Sequence, residues 1–393
     1  MASTKKNRFL YPRFAVFGFL TLLIVYIAGF QQIGASAQRK TRQTNPKQTQ
    51  SAKKPASPLE SLGAPPPIPT LRKKPVPVTQ TKQDQEVGPE DVIAVNTTEV
   101  MLPVTVRDVA GRLVSDLKTD DFKVYEDGRP QPLSDLALRQ VPVDVVLMVD
   151  ASSSVASNLD DFRRAAEGFA NRLAAEDRIS LIKFDDRVEL LLDWTKSRYQ
   201  LHRALSRLEG GMFTRFNDAL MLAARDQFSA ATSSRRAVIV LSDGLDNGRG
   251  NTTLEAALQS LLKAQVTVYV VSNTQISRAS KRAQLDQLMS SSAARFNQLT
   301  IDDLQQGLKV LDISEDNLAQ LTEATGGRLF KPLSFSDLEA TYAEVADELR
   351  HQYALYYTPL NKTRDGGFRR VRVENVNPSF KSHTRVGYFA PKT

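Results

Sequence analysis

The chain has 393 residues, enough for two ordinary domains with extensions, and 41% of them are hydrophobic, which is enough for a sizeable core. It contains no cysteine, which excludes disulfides, iron–sulfur clusters and thiolate zinc sites. The net charge of +8 is concentrated near the N-terminus, because residues 1–37 carry +4 and residues 38–83 carry +9, which leaves −5 for residues 84–393. A nucleic-acid partner therefore has little support.

The first 37 residues have the pattern of an export signal. Residues 1–13 are basic, Phe14 to Phe30 form an uncharged and largely apolar run of 17 residues, and Ala35-Ser36-Ala37 is a small-residue cleavage signature. This pattern predicts a secretory signal peptide over residues 1–37. The alternative is an uncleaved membrane anchor, since such a run is at the lower limit for spanning a bilayer. Both interpretations place the remaining chain outside the cytoplasm, secreted or in the periplasm or cell envelope.

Residues 38–91 are rich in proline, lysine and glutamine and are predicted to be a disordered linker. From residue 92 the pattern changes to short strands, and strands return after residue 353. Neither flank alone has enough strands for an independent sandwich, whereas together they supply six or seven. We therefore expect one small immunoglobulin-like β-sandwich, split into residues 92–141 and 353–393. Its predicted strands are Glu99–Arg107, Phe122–Glu126, Leu136–Leu138, Tyr353–Thr358, Phe368–Glu374 and Thr384–Phe389.

Between these flanks, residues 142–352 alternate apolar strand patterns with amphipathic helix patterns. This alternation predicts an α/β domain with a mostly parallel sheet and helices on both faces. Val188 to Leu192 follows its predecessor after a short turn, so it is predicted to be an antiparallel edge strand. A polar, helix-compatible stretch at about 274–317 is predicted to be a helical insertion of unknown purpose. The other predicted strands are Val143–Asp150, Ile179–Phe184, Val238–Leu241, Val266–Val271 and Arg328–Phe330.

The first strand of this domain ends in Asp150-Ala151-Ser152-Ser153-Ser154, immediately before a helix pattern with Leu159, Phe162, Phe169 and Leu173 on one stripe. A carboxylate and two hydroxyls are thereby placed at the carboxyl edge of the sheet, where open α/β folds bind ligands. Oxygen donors without thiolate or imidazole suit a hard cation such as Mg²⁺ or Mn²⁺. The alternative interpretation is a turn that only caps the following helix.

Two further segments favour the metal interpretation. Thr214 lies in a glycine-marked loop that opens a helix, and Asp243 follows a second buried strand. With these segments the sequence resembles a von Willebrand factor A domain that carries a metal-ion-dependent adhesion site. The flanks resemble a secreted bacterial branch of that family, with a Val124–Gly128 hairpin before the domain and a Gly387–Pro391 ending. The metal ligands that the resemblance implies are Asp150, Ser152, Ser154, Thr214 and Asp243.

The resemblance implies a Rossmann-like fold and a bound Mg²⁺ (or Mn²⁺) with an open coordination position. A partner protein would fill that position with an Asp or Glu carboxylate, so the predicted function is extracytoplasmic, metal-dependent protein binding or adhesion. Of the nearby acids Asp218 and Asp246, Asp218 is expected to orient the Thr214 loop.

Two other functions stay open. One is a structural envelope subunit whose metal braces the loops without adhesion; the other, less favoured, is a hydrolase. An aspartate-nucleophile phosphatase needs a second acid two residues after the first, and that position is Ser152. The sequence contains no Gly-x-Ser-x-Gly elbow, no phosphate-binding Gly-x-x-x-x-Gly-Lys loop and no His-Glu-x-x-His pair. We therefore predict that the protein is not an enzyme.

Overall fold

The computed structural model describes residues 99–138, 141–153, 155, 158–230, 232–246, 250–290 and 297–392. The predicted signal peptide, the predicted linker and Ser154 lie outside the described residues. Within them, no helix is both long enough and apolar enough to cross a membrane.

The elements of the described chain are numbered here in sequence order. The strands are β1 (Val100–Arg107), β2 (Phe122–Glu126), β3 (Arg129–Gln131), β4 (Leu133–Leu138), β5 (Val143–Asp150), β6 (Arg178–Phe184), β7 (Val188–Thr195), β8 (Arg235–Leu241), β9 (Thr267–Val271), β10 (Leu329–Phe330), β11 (Tyr353–Tyr357), β12 (Phe368–Asn375), β13 (Lys381–His383) and β14 (Gly387–Phe389). The helices are α1 (Leu159–Arg172), α2 (Arg198–Leu205), α3 (Phe216–Leu222), α4 (Leu254–Lys263), α5 (Thr274–Ser290), α6 (Gln298–Thr325) and α7 (Leu338–Arg350).

Six strands form a central sheet in the order β10-β9-β8-β5-β6-β7. Five of them are parallel, and β7 pairs antiparallel to β6 at the edge. The predicted α/β fold with one antiparallel edge strand is confirmed. The next strands in sequence, β6 and β7, lie on one side of β5, whereas β8, β9 and β10 lie on its other side. The carboxyl end of β5 is therefore a topological switch point, where open α/β sheets bind ligands.

The central sheet is covered on both faces because β5 alternates its side chains between two cores. Val145, Leu147 and Val149 face the core formed with α1, α2 and α7, whereas Val146 and Met148 face the core formed with α3, α4 and α6. Each of these side chains is 0% exposed. Full burial of such a side chain contributes about 1.5–3 kcal/mol, so these contacts fix the strand and hold the position of its end.

The predicted apolar stripe of α1 faces the first of these cores. Leu159, Phe162 and Phe169 are buried, and Leu173 packs against them from the end of the helix. The rings of Phe162 and Phe169 both contact Tyr342 of α7 edge to face, with centroids 6.0 Å apart. Helices α1 and α7 therefore form one layer over the sheet.

The two flanks of the chain combine into one β-sandwich. Its sheets have the orders β13-β1-β11-β4 and β14-β12-β2-β3, and the pairs β1–β11 and β2–β12 each join a strand from one flank to a strand from the other. Both sheets contribute to a shared core that includes Val104, Tyr353 and Val371. The α/β domain is therefore inserted between the two halves of the sandwich.

The sandwich differs from the predicted strands in two places. Of the predicted strand Thr384–Phe389 only the end is a strand, as β14, and a separate strand β13 precedes it in the other sheet. The division has a physical reason, because the buried Arg385 lies between them and the Val386 amide donates to the Ala324 carbonyl at the end of α6. Strand β3 was not predicted, since it contains only three residues, one of them proline.

The stretch predicted as a helical insertion at about 274–317 forms α5 and most of α6. The predicted end at residue 317 lies inside α6, which continues to Thr325. Its last turns are not part of an appendage, because Leu318 and Leu321 are buried in the core under the sheet. The polar first part and the apolar last part of α6 therefore belong to one helix.

Candidate metal centre

Asp150 ends β5 at the switch point and is 0% exposed. Its Oδ1 accepts a hydrogen bond from the Ser152 amide (2.9 Å), and its Oδ2 accepts one from the Ser242 hydroxyl (2.7 Å). The carboxylate is thus oriented by neutral donors and has no ion pair with a described residue. Burial and the neighbouring charge of Asp243 raise the pKa of Asp150 to about 7.

Asp243 follows β8, the strand that pairs with β5, and is 5% exposed. Its Oδ1 accepts a hydrogen bond from the Leu245 amide (3.2 Å), and its main-chain oxygen accepts one from the Ser314 hydroxyl of α6. Burial also raises the pKa of Asp243. Two buried carboxylates therefore repel each other at one rim of the sheet, an arrangement that a cation would relieve.

The Thr214 loop joins these two strand ends. The Gly211 amide donates to the Ala151 carbonyl (2.7 Å), and the Asn217 amide donates to Asp246 Oδ2 (3.0 Å). Thr214 is 4% exposed and lies between these two anchors, one next to Asp150 and the other in the loop after β8. The three segments that carry the predicted ligands therefore converge at the same edge.

Asp218 stabilises the loop that contains Thr214. It is 0% exposed, forms an ion pair with Arg215 (2.5 Å) and accepts a hydrogen bond from the Thr252 amide (3.2 Å). Its partners are thus the residue next to Thr214 and the segment before α4. Asp246 orients the same loop through the Asn217 amide.

Sequence reasoning did not identify Ser242 as part of this site. Its hydroxyl donates to Asp150 and also accepts from the Gly244 amide (3.0 Å), so it connects the ends of β5 and β8. A signal was present, because a hydroxyl residue directly precedes the predicted ligand Asp243. Ser314 was not identified either, and its contact with Asp243 spans 71 residues of sequence, for which no local pattern exists.

The donor set fits a hard cation. Asp150, Asp243, Ser152 and Thr214 carry only carboxylate and hydroxyl oxygens, which Mg²⁺ and Mn²⁺ prefer as ligands. The described residues contain no group of three or more His, Cys, Asp or Glu that could hold a metal. A site at this rim would therefore combine an acid pair with neutral hydroxyls.

Comparisons with known proteins agree with this fold. The sequence model of the von Willebrand factor type A domain family matches residues 144–315. An uncharacterized protein, sll0103, of Synechocystis sp. is 27% identical over 116 residues, which are 29% of this chain and 27% of that protein. The chain thus spans about a quarter of that relative's length.

Three solved structures that are similar to this chain superpose on it only with low TM-scores. A von Willebrand factor type A protein from Catenulispora acidiphila is 12% identical with a TM-score of 0.41, over 71% of this chain and 75% of that chain. The mussel byssus protein PTMP1, solved with a zinc-occupied MIDAS motif, is 16% identical with a TM-score of 0.41, over 57% of this chain and 49% of that chain. The vWF domain of the pilus tip protein Mfa5 from Porphyromonas gingivalis is 28% identical with a TM-score of 0.26, over 27% of this chain and 39% of that chain.

The assignment rests on the match to residues 144–315 and on the topology of the central sheet, since the TM-scores are low. Domains of this family mainly mediate protein–protein interaction rather than catalysis. Residues 144–315 of this chain form a von Willebrand factor type A domain.

Proposed function

We propose that Asp150, Ser152, Ser154, Thr214 and Asp243 hold one Mg²⁺ or Mn²⁺ ion and that this site captures an Asp or Glu side chain of a partner protein. The observation that supports the proposal most is the buried acid pair. Asp150 and Asp243 lie at one rim, and neither has an ion pair with a described residue. A buried carboxylate without an opposite charge has an unfavourable free energy, so the presence of two such acids favours a bound cation.

The chain's own residues determine how such a site recognises a carboxylate. Ser152 and Thr214 offer neutral hydroxyls, and Ser242 holds one oxygen of Asp150 by its hydroxyl. The bound cation would supply positive charge and a free coordination position. An acid that binds through water leaves the ion with fewer than two directly coordinated negative charges, so an added carboxylate is favoured over a neutral ligand.

Calorimetric titration with MgCl₂ and MnCl₂ tests the metal proposal. Thr214→Ala is expected to weaken Mn²⁺ binding at least about tenfold, as loss of a ligand or its support does. Thr300→Ala, on the exposed start of α6, is the matched control and should leave the affinity unchanged. Equal affinities of the two variants would exclude Thr214 as a ligand.

A pull-down of cell-envelope proteins with and without chelator tests the capture proposal. Retention of a partner only with the metal, and its loss on chelation, supports metal-dependent adhesion. Metal binding without any metal-dependent partner would favour the alternative in which the ion only braces the loops. Turnover of a hydrolase panel would contradict both.

We further propose that the protein acts outside the cytoplasm, on the strength of the apolar run Phe14 to Phe30 and the Ala35-Ser36-Ala37 signature. N-terminal sequencing of the mature protein tests this directly. A chain that starts at Gln38 supports cleavage. An intact N-terminus in the membrane fraction supports an anchor, and an intact N-terminus in the cytosol contradicts export.

A further inference from the structure

The rim around Asp150 and Asp243 is bounded by two unlike features. The order β9-β8-β5-β6 places Asp243 and Asp150 at its centre. The turn after β6 and the Met212 loop lie on the β6 side, and α5 rises from the end of β9 on the other side. A ligand that crosses the rim therefore meets different side chains at its two ends.

Met212 marks the β6 side. Its side chain is 70% exposed, while its backbone is fixed on both sides. The Met212 amide donates to Asp186 Oδ2 (3.3 Å), and its carbonyl accepts from the Ser153 hydroxyl (3.5 Å). At Gly211, a Cβ would approach Asp185 to within 2.4 Å, so only glycine allows this close approach. A large apolar side chain is thereby held in solvent beside the predicted ligand loop.

Helices α5 and α6 mark the β9 side and are attached firmly at their base. Ser314 donates to the Asp243 carbonyl, and Leu318, one turn later, packs on Gly244. Arg278 of α5 forms ion pairs with Asp312 (2.8 Å) and Glu315 (3.0 Å) of α6. The two helices therefore pack together as one wall beside the Asp243 loop.

Lys281 is a cationic residue of α5 that has no ion pair with a described residue. Its ammonium lies against Gly307 of α6, where a Cβ would stand 3.2 Å from Lys281 Nζ. Gly307 and Ser314 lie on the same face of α6, about 10 Å apart along its axis, because seven residues rise by 1.5 Å each. The charge of Lys281 acts on Asp243 and opposes the effect of burial on the pKa of that acid.

We propose that the partner presents an extended acidic segment across this rim, with an apolar side chain on Met212 and a second acidic side chain on Lys281. The inference rests on the proposed capture of a carboxylate at the centre of the rim. Charge complementarity selects the occupant: a positive group on one side and a metal site at the centre both favour a segment with two acids. Side chains on one face of an extended segment alternate with those on the other face, so the second acid lies two or four residues from the first.

Synthetic peptides bound to the Mn²⁺-loaded protein test this inference. The reference peptide carries one Asp among Gly and Ser residues. The test peptides add Leu on one side of the Asp and Glu two or four residues away on the other side, and each is made in both chain directions. One of the two directions should bind more tightly than the reference, about fivefold from the apolar contact and about threefold from the exposed ion pair. Met212→Ser should remove the gain from Leu, and Lys281→Gln the gain from Glu.

Two control variants and one further measurement make the outcome specific. Met289→Ser and Arg282→Gln change an exposed methionine and an exposed cation of α5, and both should retain the full preference. The Mn²⁺ affinity of Met212→Ser, measured by calorimetry without peptide, should equal that of the wild type. Metal-dependent binding of all Asp peptides without preference for Leu or Glu would overturn this inference and leave the proposed capture intact. Absence of any metal-dependent peptide binding would overturn both.

Discussion

Buried charged side chains have different kinds of partner at the two ends of the inserted domain. Where it meets the sandwich, Glu348 of α7 is 1% exposed and forms ion pairs with Arg107 of β1 and with Arg328. Arg235 of β8 donates to the main-chain oxygens of Leu349 (2.8 Å) and Val141 (3.2 Å). At the opposite rim, Asp150 and Asp243 have neutral hydrogen-bond donors and each other.

This contrast indicates which end is structural and which is functional. The chain can compensate buried charge, and it does so where the two domains must stay together. At the rim it keeps two acids that form no ion pair with a described residue, and the pKa of Asp150 is raised accordingly. Perturbed acids concentrate at functional sites, so the uncompensated end is the candidate binding end.

The largest expected effect is the pH dependence of the metal-free protein. The pKa of Asp150 is about 7 when folded and about 3.9 when unfolded, so its contribution to stability is fully present below pH 4 and is lost as the pH rises through 7. The loss is about 4 kcal/mol in total. Urea unfolding with chelator at pH 4, 5, 6, 7 and 8, for the wild type and for Asp150→Asn, measures it. The difference between the two proteins should change with pH, and a constant difference would contradict the raised pKa.

The next effect concerns the compensated end. Glu348→Ala leaves two partly exposed arginines without their buried partner and should lower the free energy of unfolding by about 2 kcal/mol. Glu344→Ala is the matched control on the same helix, because its ion pair with Arg328 is exposed and contributes less than about 1 kcal/mol. Mn²⁺ affinity should be unchanged in both variants. A loss of metal binding in Glu348→Ala alone would show that the two ends are coupled.

Ser242→Ala should have the smallest effect on stability and a specific effect on the site. The variant loses the hydroxyl that orients Asp150, which should cost about 1 kcal/mol of unfolding free energy and weaken Mn²⁺ binding about tenfold. Ser272→Ala is the control, since Ser272 is equally buried at the end of β9 and bonds to Thr274 instead. If the two variants bind Mn²⁺ equally well, Ser242 does not support the site.

The main parts of the fold were predictable because they follow from local patterns. The apolar run before Asp150 and the stripe from Leu159 to Phe169 specify a buried strand and an amphipathic helix by their periods alone. The strand end then placed Asp150 at the switch point. The boundary within α6 was not predictable in this way, because its polar and apolar parts share one helical period. Ser242 and Ser314 depend on contacts between distant segments, which periodicity does not encode.

The central claim is that the Asp150, Thr214 and Asp243 segments share one divalent cation. The most direct test is a crystal structure of the protein soaked in MnCl₂, with anomalous diffraction data to locate the metal. We predict one anomalous peak at the rim, about 2.2 Å from the Ser152 and Thr214 hydroxyl oxygens, with Asp150 and Asp243 bound directly or through water. A rim without a peak, or a Thr214 hydroxyl too distant to share the ion with Asp150, would contradict the account.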